Sequence, residues 1–129
     1  MTLTKTKTLL ARAGALLVTA ALAAATTACA KETSLEDVSC PPAGTPLTYD
    51  SFGRDFLSAN CQSCHGSGTY DRKGAPSGYD FGTLEDARRW RSRIFARAAA
   101  DNVTMPPGPD DPPAADRAKL AEWLACGAP

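Results

Sequence analysis

The chemistry of this chain is concentrated in five consecutive residues, Cys61-Gln62-Ser63-Cys64-His65. They read C-x-x-C-H, the attachment signature of a c-type haem. Two thiols three positions apart on a helical turn can each add to a vinyl group on one porphyrin edge. The adjacent histidine then turns under the ring and offers its imidazole nitrogen to the iron. The resulting thioethers make the cofactor a permanent part of the chain, which suits an exported protein that cannot recapture lost haem. Other readings of the motif fit less well. Zinc asks for a second Cys pair or two histidines, whereas His65 is the only histidine and Cys40 and Cys126 are isolated. A thioredoxin-like dithiol asks for a βαβ setting, and the flanking sequence has none. A structural disulfide between Cys61 and Cys64 is the remaining alternative.

A single histidine excludes bis-histidine ligation from within the chain. The second axial position then points to Met105, which is the one methionine besides Met1 and lies in Asn102-Val103-Thr104-Met105-Pro106-Pro107. Proline after Met105 disfavours the α conformation there, and the two prolines stiffen the chain beyond it. Such a loop can present one sulfur at small entropic cost. The plainer reading makes Met105 a gap filler in the core.

Three helices are expected to position these groups. The first spans about 49–59 and leads straight into Cys61, with Phe52, Phe56 and Leu57 as its apolar stripe and Asp50 as N-cap. Gly53, one turn before Leu57, costs helix propensity and suggests a close helix crossing. A second helix opens at Thr83, with acidic residues in its first turn, and runs to about residue 100 through Leu84, Ala87, Trp90 or Arg91, and Ile94. It carries Arg88, Arg89, Arg91, Arg93 and Arg97. Most of these read as a solvated face, while Arg89, Arg93 and the Trp90 indole N–H are candidates to meet a haem propionate. The third helix covers about 114–125, with Leu120, Trp123 and Leu124 on one face and Gly127 placed as the residue after the C-cap. Leu120 and Trp123 are expected to pack across Gly53 and Leu57.

The N-terminus reads as a targeting segment. Lys5, Lys7 and Arg12 precede an uncharged run over 13–30, the pattern of a secretory signal. The run also has the length of a marginal membrane span, although its Ala and Thr content makes it weakly hydrophobic. Ala28-Cys29-Ala30 offers an A-x-A cleavage site. Thr26-Thr27-Ala28-Cys29 resembles a bacterial lipobox, with Thr26 where leucine is usual, and would make Cys29 a lipidated first residue. Residues 29–46 then form a polar, proline-containing tether, disordered or loosely docked, and residues 47–129 the folded domain. Cys40 and Cys126, 86 positions apart, pair naturally in an oxidising compartment and would add about 4–5 kcal/mol in the chain-entropy view. A Cys29–Cys126 bridge is the alternative.

Composition narrows the classes further. The 129 residues suggest one domain. Aromatics are only 7% and β-branched runs are missing, which argues against a large β-sandwich. The 14 basic and 14 acidic groups balance, and loss of residues 1–28 removes Lys5, Lys7 and Arg12 to leave an acidic chain. That balance argues against nucleic acid as a partner and suits a basic protein.

Over about 47–129 the sequence resembles the class I cytochrome c family. The likeness rests on Gly53 and Leu57 ahead of Cys61, the Cys61-Gln62-Ser63-Cys64-His65 motif, the Met105-Pro106 loop and the C-terminal Leu120 and Trp123. It implies a small all-α fold wrapped around one covalent haem, His65 and Met105 on the iron, and single-electron exchange with partner proteins. It also implies a proline whose carbonyl accepts from the proximal histidine, here Pro76. The extra cysteine pair and the lipobox depart from that pattern and look like a membrane-tethered bacterial variant on the periplasmic side. The expectation is therefore an electron carrier with no catalytic residues. The alternatives are a haem enzyme or gas sensor with a labile sixth ligand, and a haem subunit of a larger respiratory or dehydrogenase complex.

Overall fold

Thr48 begins the folded body by capping its own helix. Its Oγ1 accepts from the Ser51 N–H at 3.0 Å, and the Ser51 hydroxyl accepts from the Thr48 N–H at 2.9 Å. This reciprocal box satisfies two donors that a helix start would otherwise orphan. The cap is thus Thr48 and not Asp50, whose carboxylate instead pairs with Arg54 one turn on. In this computed structural model, which describes residues 32–129, a π-helical turn over Tyr49–Gly53 runs into α1 (Arg54–Asn60). Cys61 interrupts the helix, and the single turn α2 (Gln62–His65) follows.

Helix α3 (Leu84–Ala98) starts as expected at Thr83, which exchanges bonds with Asp86. It ends two residues earlier than its periodicity suggested, because Ala99 is extended and Ala100 adopts a φ of 54°. Helix α4 (Ala114–Ala125) follows Pro113. At its end the Ala128 N–H bonds the Trp123 carbonyl and the Gly127 N–H bonds the Leu124 carbonyl. Gly127 carries the φ of 90° that this left-handed cap requires. The described residues are all helix and irregular chain, without a strand. No described helix is long and apolar enough to cross a membrane.

The core is built from Leu57, Phe95, Leu120, Trp123 and Leu124, each fully buried. A Cβ on Gly53 would sit 2.5 Å from Cζ2 of Trp123, so only glycine lets the first helix cross the indole. The expected Trp123–Gly53 crossing is therefore present. Tyr49 and Phe52 add ring contacts to Trp123 at 6.5 and 6.2 Å.

Residues 32–46, expected as a loose tether, lie against this body. A 3₁₀ turn at Leu35–Asp37 lies near α3 and α4, and Leu35 and Val38 pack on the core. The Thr45 hydroxyl donates to Glu122 at 2.6 Å, and Cys40 is disulfide-bonded to Cys126. Two apolar side chains and one covalent link outweigh the polar composition that suggested disorder. Cys29 and the targeting segment lie outside the described residues.

Candidate cofactor site

Between α2, α3 and the loops after them is an open cavity of about 300 Å³. Cys61, Cys64 and His65 line it on one side, and Met105, Pro106 and Pro107 on another. The tertiary fold thus brings together the two segments that the sequence singled out for ligation. Arg93, Ile94, Arg97 and Ala98 form the α3 wall, one face of the helix at helical spacing.

Cys61 and Cys64 are free thiols, while Cys40 and Cys126 are bonded to each other. The Cys40–Cys126 bridge is the pairing the sequence reading expected, and it leaves Cys61 and Cys64 unbridged. Burial pushes the Cys61 thiol up to about 12, and the adjacent Cys64 acts in the same direction. At neutral pH Cys61 therefore carries its proton.

His65 is oriented by the loop that follows it. Its Nδ1 lies 2.7 Å from the Tyr79 carbonyl. A carbonyl can only accept, so Nδ1 bears the hydrogen and Nε2 keeps its lone pair in the neutral ring. That is the tautomer a metal-ligating imidazole needs. The ring also stacks on Phe81 at 4.5 Å between centroids, and the Phe81 N–H returns to the His65 carbonyl at 2.9 Å. The carbonyl facing the imidazole thus belongs to Tyr79 and not to Pro76. Pro76 lines the cavity, but its carbonyl accepts from Arg72 at 3.0 Å.

The Met105 loop is tied to the C-terminal turn of α3. The Met105 N–H and the Thr104 hydroxyl both donate to the Arg97 carbonyl, at 2.9 and 3.3 Å. Asn102, 4% exposed, sits behind this loop. Its Nδ2 donates to the Thr33 carbonyl at 2.8 Å and to the Phe95 carbonyl at 3.0 Å, joining the N-terminal segment, α3 and the loop. Met105 itself is 41% exposed and faces the cavity from this frame.

Two of the expected haem neighbours lie elsewhere. Trp90 stacks on Tyr79 at 4.4 Å, and Arg89 lies over the Trp90 ring at 5.4 Å, so neither lines the cavity. Arg93 does, and Arg97, one turn on, joins it. No carboxylate among the described residues pairs with either, which leaves two cationic groups at a mainly apolar site. Sequence reasoning missed Arg97, Tyr79, Phe81 and Arg72. Arg97 was legible as the i+4 partner of Arg93, while the other three belong to a loop without periodicity. In comparisons with known proteins, the chain matches no family model, no curated protein and no solved structure.

Proposed function

We propose that this chain is a mono-haem c-type cytochrome that carries single electrons, exported and lipid-tethered on the periplasmic side of a bacterial membrane. The observation that carries the reading is the convergence of Cys61, Cys64, His65 and Met105 on one apolar cavity. The donor set fits the group: two free thiols at attachment spacing, an imidazole with its lone pair at Nε2, and a thioether from another segment. A bound haem c supplies a one-electron couple, with iron alternating between +2 and +3. The rest is the work of the chain. Cys61 and Cys64 would hold the group through thioethers, and His65 and Met105 would supply a nitrogen and a sulfur to its iron. A methionine thioether together with a histidine would favour the reduced state of such an iron, which suits a carrier. Phe81, Ile94 and Ala98 keep water from the buried face, and Arg93 and Arg97 offer positive charge to the propionates. No residue is assigned to catalysis.

Export rests on the N-terminal pattern and is supported by the Cys40–Cys126 disulfide, which suits an oxidising compartment. The decisive experiment is an intact mass and a visible spectrum of the protein from a host equipped to attach haem. One haem, a new N-terminus at Cys29 and the mass of acyl chains are the expected results. A colourless chain of unmodified mass would refute the reading. Carbon monoxide binding to the ferrous form would favour the haem enzyme or gas sensor instead.

A further inference from the structure

The loop over residues 66–82 contains an arginine whose every donor is occupied. Arg72 Nε donates to the Ala75 carbonyl at 3.2 Å. Nη1 donates to the Gly66 carbonyl at 2.9 Å and to Oδ1 of Asp80 at 2.7 Å. Nη2 donates to the Pro76 and Tyr79 carbonyls at 3.0 and 3.3 Å. A guanidinium has five N–H groups in one rigid plane, and here each has its own acceptor. The pair with Asp80 is largely shielded, at 19% and 28% side-chain exposure. It thus differs from the exposed Lys73–Asp71 pair beside it, whose side chains are 69% and 63% exposed. A loop without regular structure must still satisfy its backbone carbonyls, and one side chain serves four of them.

One of the four carbonyls is the acceptor for the imidazole. The Tyr79 carbonyl receives both Arg72 Nη2–H and His65 Nδ1–H. An acceptor on the far nitrogen of a ligating histidine ordinarily fixes the ring and raises its basicity. A cationic donor on the same oxygen draws on the same lone pairs and moderates that effect. Resting on the haem reading above, we propose that Arg72 is a positioning residue for His65: it fixes the loop that presents the Tyr79 carbonyl and, by sharing that oxygen, restrains the imidazole's donation to the iron. A less basic ligand favours the reduced iron, and Arg72 also offsets the Asp80 carboxylate beside it, so the two effects of Arg72 raise the potential together. Lysine cannot replace it, because a single ammonium offers three donors from one point and no planar fork.

The test compares reduction potentials of the haem-loaded protein and three variants. Arg72→Gln is expected to lower the potential by about a tenfold shift in the one-electron equilibrium, about 59 mV. Arg72→Lys keeps the charge, loses the fork, and should fall between Arg72→Gln and wild type. Lys73→Gln removes one charge from the next residue without touching a loop carbonyl and should shift the potential far less. The His65 Nδ1 proton, followed by NMR in the reduced state, should exchange faster in Arg72→Lys than in wild type. This measurement also serves if Arg72→Gln does not accumulate. Unchanged potential and proton exchange in Arg72→Lys would overturn the proposal, as would an equal shift from Lys73→Gln. A wild-type protein without haem would instead refute the haem reading itself.

Discussion

On the His65 side of the cavity, the chain is braced by a guanidinium with five acceptors, a shielded ion pair with Asp80 and a ring stack on Phe81. On the Met105 side, the chain rests on the Arg97 carbonyl and on the buried Asn102 amide. Both loops lack regular structure and both lead to a proposed ligand. They differ in redundancy: losing any one contact leaves the His65 loop with others, whereas the Met105 loop has few to lose. The first side is built to hold an orientation. The second is the side at which a ligand would yield.

The sharpest way to break this contrast is to remove each ligand in turn. On the proposed haem reading, His65→Ala should abolish haem-loaded protein altogether, read as loss of colour per unit of chain. Met105→Ala should keep the haem covalently attached and change only its spectrum and potential. Equal losses from both would erase the asymmetry. A smaller effect is expected at the disulfide. Cys40→Ser together with Cys126→Ser should cost up to about 4–5 kcal/mol by chain entropy, measured by denaturant unfolding. Because Cys40 anchors the segment that ends on Asn102, amide exchange should speed up around Met105 before it does so around Tyr79. Overpacking the shared core should act on both sides alike. Gly53→Ala drives a methyl into Trp123 and is expected to cost about 1–3 kcal/mol, visible as a lower Tm with no preference between the loops. The smallest and most local change is Asn102→Ala. It removes the part-buried bond to the Thr33 carbonyl, at a cost of about 1 kcal/mol, and on the haem reading should raise the rate at which added imidazole displaces Met105. Wild-type displacement in that variant would remove Asn102 from the frame of the loop.

The comparison also explains which parts of the site could be read in advance. Cys61, Cys64 and His65 could be expected at one cavity wall because their close spacing along the chain needs no other segment. Thr83 and Gly127 were legible as caps for the same reason. Asp50 was a near miss: Thr48 and Asp50 both suit an N-cap, and the choice fell to the residue whose partner, Ser51, could return the bond. Pro76 was misassigned because a position counted along a loop does not say which carbonyl turns inward. The arginines of α3 shared a helix, and only packing decided that Arg93 and Arg97 face the cavity while Arg89 lies over Trp90.

Taken alone, the amino-acid order determined the Cys61-Gln62-Ser63-Cys64-His65 spacing, the all-α character and the glycine at the helix crossing, and it favoured Cys40–Cys126 without excluding other cysteine pairs. Each follows from local geometry, or from a short count of residues that can do one kind of chemistry. The tertiary structure decided that Tyr79 meets His65, that Arg72 gathers the loop around it, and that residues 32–46 lie on the body of the fold instead of trailing from it. Those outcomes depend on which distant groups come within bonding reach. Irregular backbone has no period to announce them, because its hydrogen bonds are assigned only when the chain closes on itself.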